Sequence, residues 1–232
     1  MIKAAQQRAK IVVDEASSAR LLRAIGSPRQ LQEVMVDFWF NHFNVFAQKG
    51  LVRLWVGDFE NRTIRPYALG RFRDLLGATA RHPAMLFYLD NWLSSGAESA
   101  TGARGANSAR QASARRANPV PQRRSTGLNE NYARELMELH TLGVNGGYTQ
   151  TDVQELARVL TGLGVNYTAD TPKVKPALEK QYVRRGLFEF NPNRHDYGDK
   201  HILGQTVKGR GLAEVDEMLD HLARHPATAH FV

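Results

Sequence analysis

The stretch NENYARELMELHTLG, residues 129–143, has the residue spacing of an α-helix. At about 100° per residue, one face of this helix is polar and ends in a leucine. It consists of Asn131, Arg134, Glu135, Glu138 and Leu142, and the opposite face consists of Ala133, Leu136, Met137 and His140. A polar face can simply be solvated. Because this one ends in Leu142, we expect it to face inward, with Arg134 compensating the two carboxylates.

Helical patterns continue on the N-terminal side of this stretch. Residues 4–25 are predicted to be helical, with a stop at Gly26-Ser27-Pro28. A second helix is predicted from Pro28 to Phe46, with Ser27 as its cap. Its apolar residues recur at helical spacing and are Leu31, Val34, Met35, Phe38, Trp39 and Phe46. This spacing predicts a core-facing stripe, and His42 occupies its next position.

The remaining patterns predict a mainly α fold. Helices are predicted from Pro66 to Ala80, over 84–93, over 151–163 after a Thr149–Asp152 capping box, and over 212–223. Residues 51–60 are ambiguous, and 182–207 are predicted to form a small β-hairpin-like excursion. We expect a single multi-helix domain with a helical N-terminal half (1–93), a disordered basic insertion (94–126) and a helical C-terminal half (127–232).

Two segments of the chain share the sequence Ala-Arg-His-Pro-Ala. They are GATARHPAMLF at 77–87 and DHLARHPATAHF at 220–231. A proline after a histidine is typical of a point where one helix ends and the next begins, so we interpret the shared motif as helix punctuation. The second copy places the start of a helix at the end of the chain, and we therefore expect the chain to be truncated.

Charge and composition restrict the classes of function. The net charge is +8, and six arginines against one glutamate give residues 94–126 a net charge of +5. These arginines are Arg104, Arg110, Arg115, Arg116, Arg123 and Arg124. The segment has no interleaved aromatic residues for base stacking, which argues against nucleic acid and leaves an acidic protein surface as a candidate partner of 104–124.

The sequence also lacks the features of several classes of protein and site. The 232 residues include no cysteine, which excludes disulfides, thiolate metal sites and cysteine nucleophiles. No apolar run is long enough to form a transmembrane segment, and the N-terminus shows no signal peptide.

The candidate site residues fall in two places. The first set is catalytic and comprises His42, Arg134, Glu135 and Glu138, with Asn41 and Asn131 as polar support. A histidine on an apolar, aromatic stripe such as His42 is more often a core histidine with both nitrogens satisfied than a catalytic residue. The second set is a candidate metal site in the loop HDYGDKH and comprises His195, Asp196, Asp199 and His201. Carboxylates and imidazoles are suitable ligands for a divalent metal, although such loops are more often plain turns.

Four long strings resemble a known family. They are LQEVMVDFWFNHFNVF, RPYALGRFRDLLGATARHPAMLFYLDNWLS, GLNENYARELMELHTLGVNGGYTQTDVQELARVLTG and HDYGDKHILG. They resemble the bacterial family known as domain of unknown function 1800, and the resemblance covers almost all of the chain outside the insertion. It implies an all-helical fold and full-length relatives that are longer and in many cases exported. It implies no established activity.

A second resemblance is local. FWFNHF at 38–43 and RELMELHTLG at 134–143 are similar to segments of animal-type haem peroxidases. This similarity implies a distal haem histidine at His42 and haem as the cofactor. The chain departs from that family at Asn41 and Phe43, where the family has aspartates.

Two classes of function therefore remain open. In the first, the chain is an enzyme or enzyme remnant with a His/Glu/Arg site between helices, which resembles a haem- or metal-dependent oxidoreductase. In the second, it is a non-catalytic helical structural or interaction module of a larger exported protein. Convergence of His42 with Glu135 and Glu138 would favour the enzyme.

Overall fold

Helices make up most of the computed structural model, which describes residues 2–96, 127–168 and 170–232. The α-helices, in chain order, are α1 Ile2–Gly26, α2 Gln30–His42, α3 Val52–Asp58, α4 Phe72–Arg81, α5 Pro83–Tyr88, α6 Asn131–Glu138, α7 Gln150–Val159, α8 Leu212–Arg224 and α9 Pro226–Phe231. The strands are β1 Leu163–Val165, β2 Val183–Arg185, β3 Phe188–Phe190, β4 Lys200–Ile202 and β5 Gln205–Val207. The predicted mainly α class with a small β element is thus confirmed.

The chain forms two units, each assembled from separate segments. Unit 1 consists of Met1–Leu89, Glu135–Gly147 and Leu219–Val232, and unit 2 consists of Asp90–Arg134 and Tyr148–Met218. Each unit draws on both the predicted N-terminal and C-terminal halves. Residues 97–126, which make up most of the predicted insertion, lie outside the described part of the chain.

In unit 1, α1 packs closely on α3. A Cβ atom at Gly57 would lie only 3.2 Å from the Cβ atom of Ala16, so small residues set the spacing of these helices. The ambiguous stretch 51–60 is helical, because α3 continues into a π-helical turn, Phe59–Ile64, and a 3₁₀ turn, Arg65–Tyr67. The helix predicted to begin after Pro66 therefore begins only at Phe72.

An arginine with two carboxylates joins α2 to the π-helical turn. Arg65 donates through both terminal nitrogens to Glu33, at 2.8 and 2.9 Å, and to Glu60 at 2.9 Å. Arg23 of α1 approaches Glu60 at 3.3 Å. The hydrogen bonds from Arg65 hold the pKa of the Glu33 carboxyl below its ordinary value. The cluster is therefore a set of paired charges at the margin of the core.

The two His-Pro motifs form equivalent helix starts in unit 1. The Nδ1 atom of His82 accepts from the backbone N–H of Ala84 at 3.1 Å, and that of His225 accepts from Ala227 at 3.2 Å. In both cases the histidine is the N-cap and the proline opens the helix. The interpretation as helix punctuation is confirmed.

Unit 2 contains the β structure. Its three-stranded antiparallel sheet has the order β1-β3-β2, and β4 and β5 form a separate hairpin. The predicted excursion at 182–207 is confirmed in β2 to β5. Residues 163–165 were not predicted to be a strand: α7 ends at Val159, and Gly162, with a φ of 87°, redirects the chain into β1.

The capping box that begins α7 is confirmed. Thr149 accepts from the backbone N–H of Asp152, and the Asp152 carboxylate accepts from the backbone N–H of Thr149 at 2.7 Å. Asp152 also accepts from the backbone of Leu203 at 2.7 Å, just after β4, which packs against α7. One side chain therefore fixes both the helix start and the adjacent hairpin.

None of the helices in residues 2–96, 127–168 and 170–232 combines the length and apolar character needed to cross a bilayer.

Candidate functional site

His42 lies at the C-terminal end of α2 in unit 1, half-buried among aromatic rings. Its Nε2 atom lies 3.0 Å from the carbonyl oxygen of His140. A carbonyl oxygen can only accept, so Nε2 carries the proton and Nδ1 is left as an acceptor in the neutral ring. Burial lowers the pKa of His42, and the hydrogen bond to His140 partly opposes that change. The ring of Phe231 lies 6.0 Å away, between centroids.

His140, which was not among the predicted site residues, is the partner of His42. It is buried on the apolar face of the 131–143 segment, and its ring centroid lies 5.1 Å from that of Phe43 and 6.3 Å from that of His42. Burial lowers the pKa of His140 to about 3, and the nearby His42 adds to the decrease. Both imidazoles are therefore neutral at physiological pH. The available signal was the position of His140 on the same face as Leu136 and Met137.

The polar face of α6 does not point into the core. The buried residues of this helix are Tyr132, Ala133, Leu136 and Met137. Asn131 is exposed, and Arg134, Glu135 and Glu138 are half-buried. The predicted inward orientation of the polar face is therefore wrong. Burying the apolar face lowers the free energy, whereas desolvating the charged face would raise it.

The two polar residues of this site that lie in unit 2 are at the start of α6. Arg134, whose side chain is 40% exposed, pairs with Glu130 at 3.6 Å and donates to Gln150 at 2.7 Å. Asn131 donates its backbone N–H to Asn129 at 2.9 Å. In unit 1, Asn41 is exposed and donates to the backbone oxygen of Asp37 at 2.9 Å. These contacts are those of solvated helix surfaces.

The predicted metal ligands are separated by their own partners. His195 is buried against Thr161, at 2.7 Å from its carbonyl oxygen, and Asp196 pairs with Arg158 at 3.0 Å. Asp199 pairs with Lys208 at 2.6 Å, and His201 lies 3.0 Å from the Thr206 hydroxyl. Across residues 2–96, 127–168 and 170–232, no three histidine or carboxylate side chains are grouped to hold a metal ion. The predicted metal set is therefore not assembled.

His195 instead belongs to a charged cluster in the core of unit 2. The Lys200 ammonium donates to Glu214 Oε1, and His195 Nε2 lies 3.1 Å from the same oxygen. The backbone N–H of Arg210 donates to the other oxygen, Oε2, at 2.6 Å. The three side chains are 0% exposed. The cluster is closed to solvent and joins β4, α8 and the loop that precedes β4.

The apolar stripe of α2 is the other unexpected feature. Leu31, Val34 and Phe38, predicted to be in the core, are between 46% and 66% exposed. Polar contacts explain the rotation of the helix. Glu33 turns inward to reach Arg65, and the Trp39 indole donates to the carbonyl oxygen of Ala68 at 3.0 Å. We call Leu31, Val34 and Phe38 the α2 apolar stripe.

Comparisons with known proteins place the chain in a family but give it no activity. A search of curated proteins and a search of solved structures each returned no significant match. The similarity to haem peroxidases is therefore not supported. The family described as "Protein of unknown function (DUF1800)" matches residues 2–232. The chain thus belongs to the DUF1800 family.

Proposed function

We propose that the protein is a non-catalytic helical interaction module whose α2 apolar stripe binds a second copy of the same chain. The observation that carries the proposal is the exposure of three large apolar side chains on one side of a single helix, an arrangement typical of a surface that binds another protein. Full burial of a side chain of this size contributes roughly 1.5–3 kcal/mol, so pairing two stripes supplies a substantial driving force.

The charges at the ends of the stripe favour self-association over other occupants. Arg29, just before α2, is exposed and forms no ion pair with any described residue, and Asp37, which pairs with Arg20 of α1, keeps a side chain that is 62% exposed. These opposite charges lie eight positions apart. An antiparallel pairing of two α2 helices about a two-fold axis near Val34 places each Arg29 level with the other copy's Asp37 along the helix axis, at the rim of the paired stripes.

Sedimentation velocity over a range of protein concentrations tests this proposal. We expect a concentration-dependent dimer, and we expect Val34→Lys to give a monomer because two lysines would face each other at the axis. The matched control is Val144→Lys, an exposed valine of unit 1 outside α2, which should leave the dimer unchanged. A wild-type chain that remains monomeric at every concentration would refute the proposal.

A second candidate function is general-base catalysis by His42. The specific observation is that His42 Nε2 donates to the backbone of His140, which fixes the ring and leaves Nδ1 as the proton acceptor. His42→Gln keeps a donor for the carbonyl oxygen but removes the basic nitrogen that would take up a proton. Turnover in a panel of ester, amide and phosphoester substrates should therefore be lost in His42→Gln and kept in His230→Gln, the exposed-histidine control. Equal turnover in both variants would reject this candidate.

A further inference from the structure

A polar cleft in unit 2 is not used by the proposed function. It is open to solvent, has a volume of about 490 Å³, and is bordered by the 3₁₀ turn Asn91–Leu93, the end of β1, the segment that follows it, and β3. Residues that line it include Trp92, Asn166, Tyr167, Asp170, Glu189 and Arg194. Its volume is in the range of pockets that bind small molecules.

The alternation of β3 places a carboxylate in this cleft. Phe188 and Phe190 are buried, so Glu189, between them, points to the other face of the sheet. Its Oε2 atom accepts from the Asn166 amide and from the Tyr182 hydroxyl, each at 3.1 Å. Both donors are neutral, and Oε1 accepts from none of the described residues. Glu189 is only 7% exposed, so its charge is poorly solvated and lacks a cation in contact.

A guanidinium group in the same cleft also lacks a counterion in contact with it. Arg194 donates through Nη2 to the carbonyl oxygen of Ser94 at 2.7 Å. Burial lowers the pKa of Arg194, and the more distant Glu189 carboxylate partly opposes that change. Within the described part of the chain, no carboxylate forms an ion pair with Arg194. The cation is therefore partly desolvated without a counterion.

A glycine keeps the two charged groups accessible from the space between them. Gly164 lies directly opposite Glu189 in the β1–β3 register. A Cβ atom at Gly164 would lie 3.7 Å from both Arg194 Nη1 and Glu189 Oε1. The missing side chain leaves a gap bordered by one donor group and one acceptor group of opposite charge.

We propose that this cleft binds a small zwitterion of the α-amino-acid class. The ligand's carboxylate pairs with the Arg194 guanidinium, and its ammonium donates to Glu189 Oε1 over Gly164. One such ligand supplies the missing counterion to both side chains at once. The aromatic side chains that line the cleft, Trp92 and Tyr167, contact the rest of the ligand. A neutral polyol would leave both charges uncompensated.

Calorimetric titration of the full chain with each of the twenty L-amino acids tests the proposal. Acetate, methylammonium and glucose serve as the anion-only, cation-only and neutral probes. We expect saturable binding of at least one amino acid and weaker binding of all three matched probes. Glu189→Gln and Arg194→Gln should each weaken the amino acid by roughly tenfold to a hundredfold, the loss expected for one charged hydrogen bond.

Two further variants separate binding from folding. Gly164→Val should fill the gap and abolish binding while retaining the sheet, because Gly164 lies in a strand and has no positive φ. The matched control is Arg185→Gln, an exposed arginine on β2 that does not line the cleft, which should bind as the wild type does. The absence of binding by every amino acid, or binding of glucose or acetate equal to that of the best amino acid, would overturn the proposal.

Discussion

The two units handle buried charge differently. In unit 1, Arg65 and its carboxylate partners lie at the edge of helical packing, and each side chain keeps some solvent access. In unit 2, Lys200, Glu214 and His195 have none. Unit 1 is made of helices whose backbone groups are satisfied internally, whereas Lys200 lies in a three-residue strand and His195 in a loop, with only Glu214 on a helix. Short strands provide few hydrogen bonds, so we interpret the buried charged cluster as a contact that helps to fix their positions.

The largest expected effect comes from breaking the cluster of unit 2. Glu214→Gln keeps the shape of the side chain but leaves the Lys200 ammonium without a counterion in a closed core. We expect a loss of about 3–5 kcal/mol in the free energy of unfolding, measured by urea denaturation. The control is Glu217→Gln on the same helix, whose exposed pair with Arg210 is worth under about 1 kcal/mol. Equal effects of the two variants would remove the contrast between the units.

An intermediate effect is expected in unit 1. Arg65→Ala leaves Glu33 and Glu60 without their shared cation, but both can gain some hydration at the margin of the core. We expect a loss of about 2–3 kcal/mol, below that of Glu214→Gln. Arg62→Ala, in the same π-helical turn with a largely exposed side chain, should change stability by under about 0.5 kcal/mol. A larger loss for Arg65→Ala than for Glu214→Gln would reverse the comparison.

Local signals in the sequence were sufficient for several elements. The Thr149–Asp152 box and the two His-Pro motifs depend on residues at most three positions apart, and all were predicted correctly. The rotation of α2 was not predicted correctly, because it depends on contacts with Arg65 and Ala68, about thirty positions away. The spacing of apolar residues in the sequence carries no information about such tertiary hydrogen bonds.

The candidate sites could also be predicted only in part from the sequence. His42 was predicted as a site residue from its position on an aromatic stripe. Its partner was expected to be a carboxylate, but it is the backbone carbonyl group of His140. The cleft of unit 2 depends on Gly164 lying opposite Glu189, and β1 was not predicted to be a strand. Pairing of short, separated strands leaves little trace in a single sequence, so neither the register nor the cleft could be inferred.

The smallest expected effect concerns the helix that suggested a buried polar site. Arg134 contacts Glu130 one turn earlier on α6 and Gln150 at the start of α7, and its side chain is 40% exposed. An exposed pair of this kind contributes a few tenths of a kcal/mol, so Arg134→Ala should reduce the free energy of unfolding by under about 0.5 kcal/mol.

Arg158→Ala is the contrasting variant in the same unit, because its guanidinium pairs with both Glu155 and Asp196 and is less exposed. We expect Arg158→Ala to cost more in urea denaturation at the same ionic strength. High salt should reduce the small Arg134 effect further, since exposed pairs are screened. A loss of several kcal/mol for Arg134→Ala would instead show that the polar face of α6 is buried in solution.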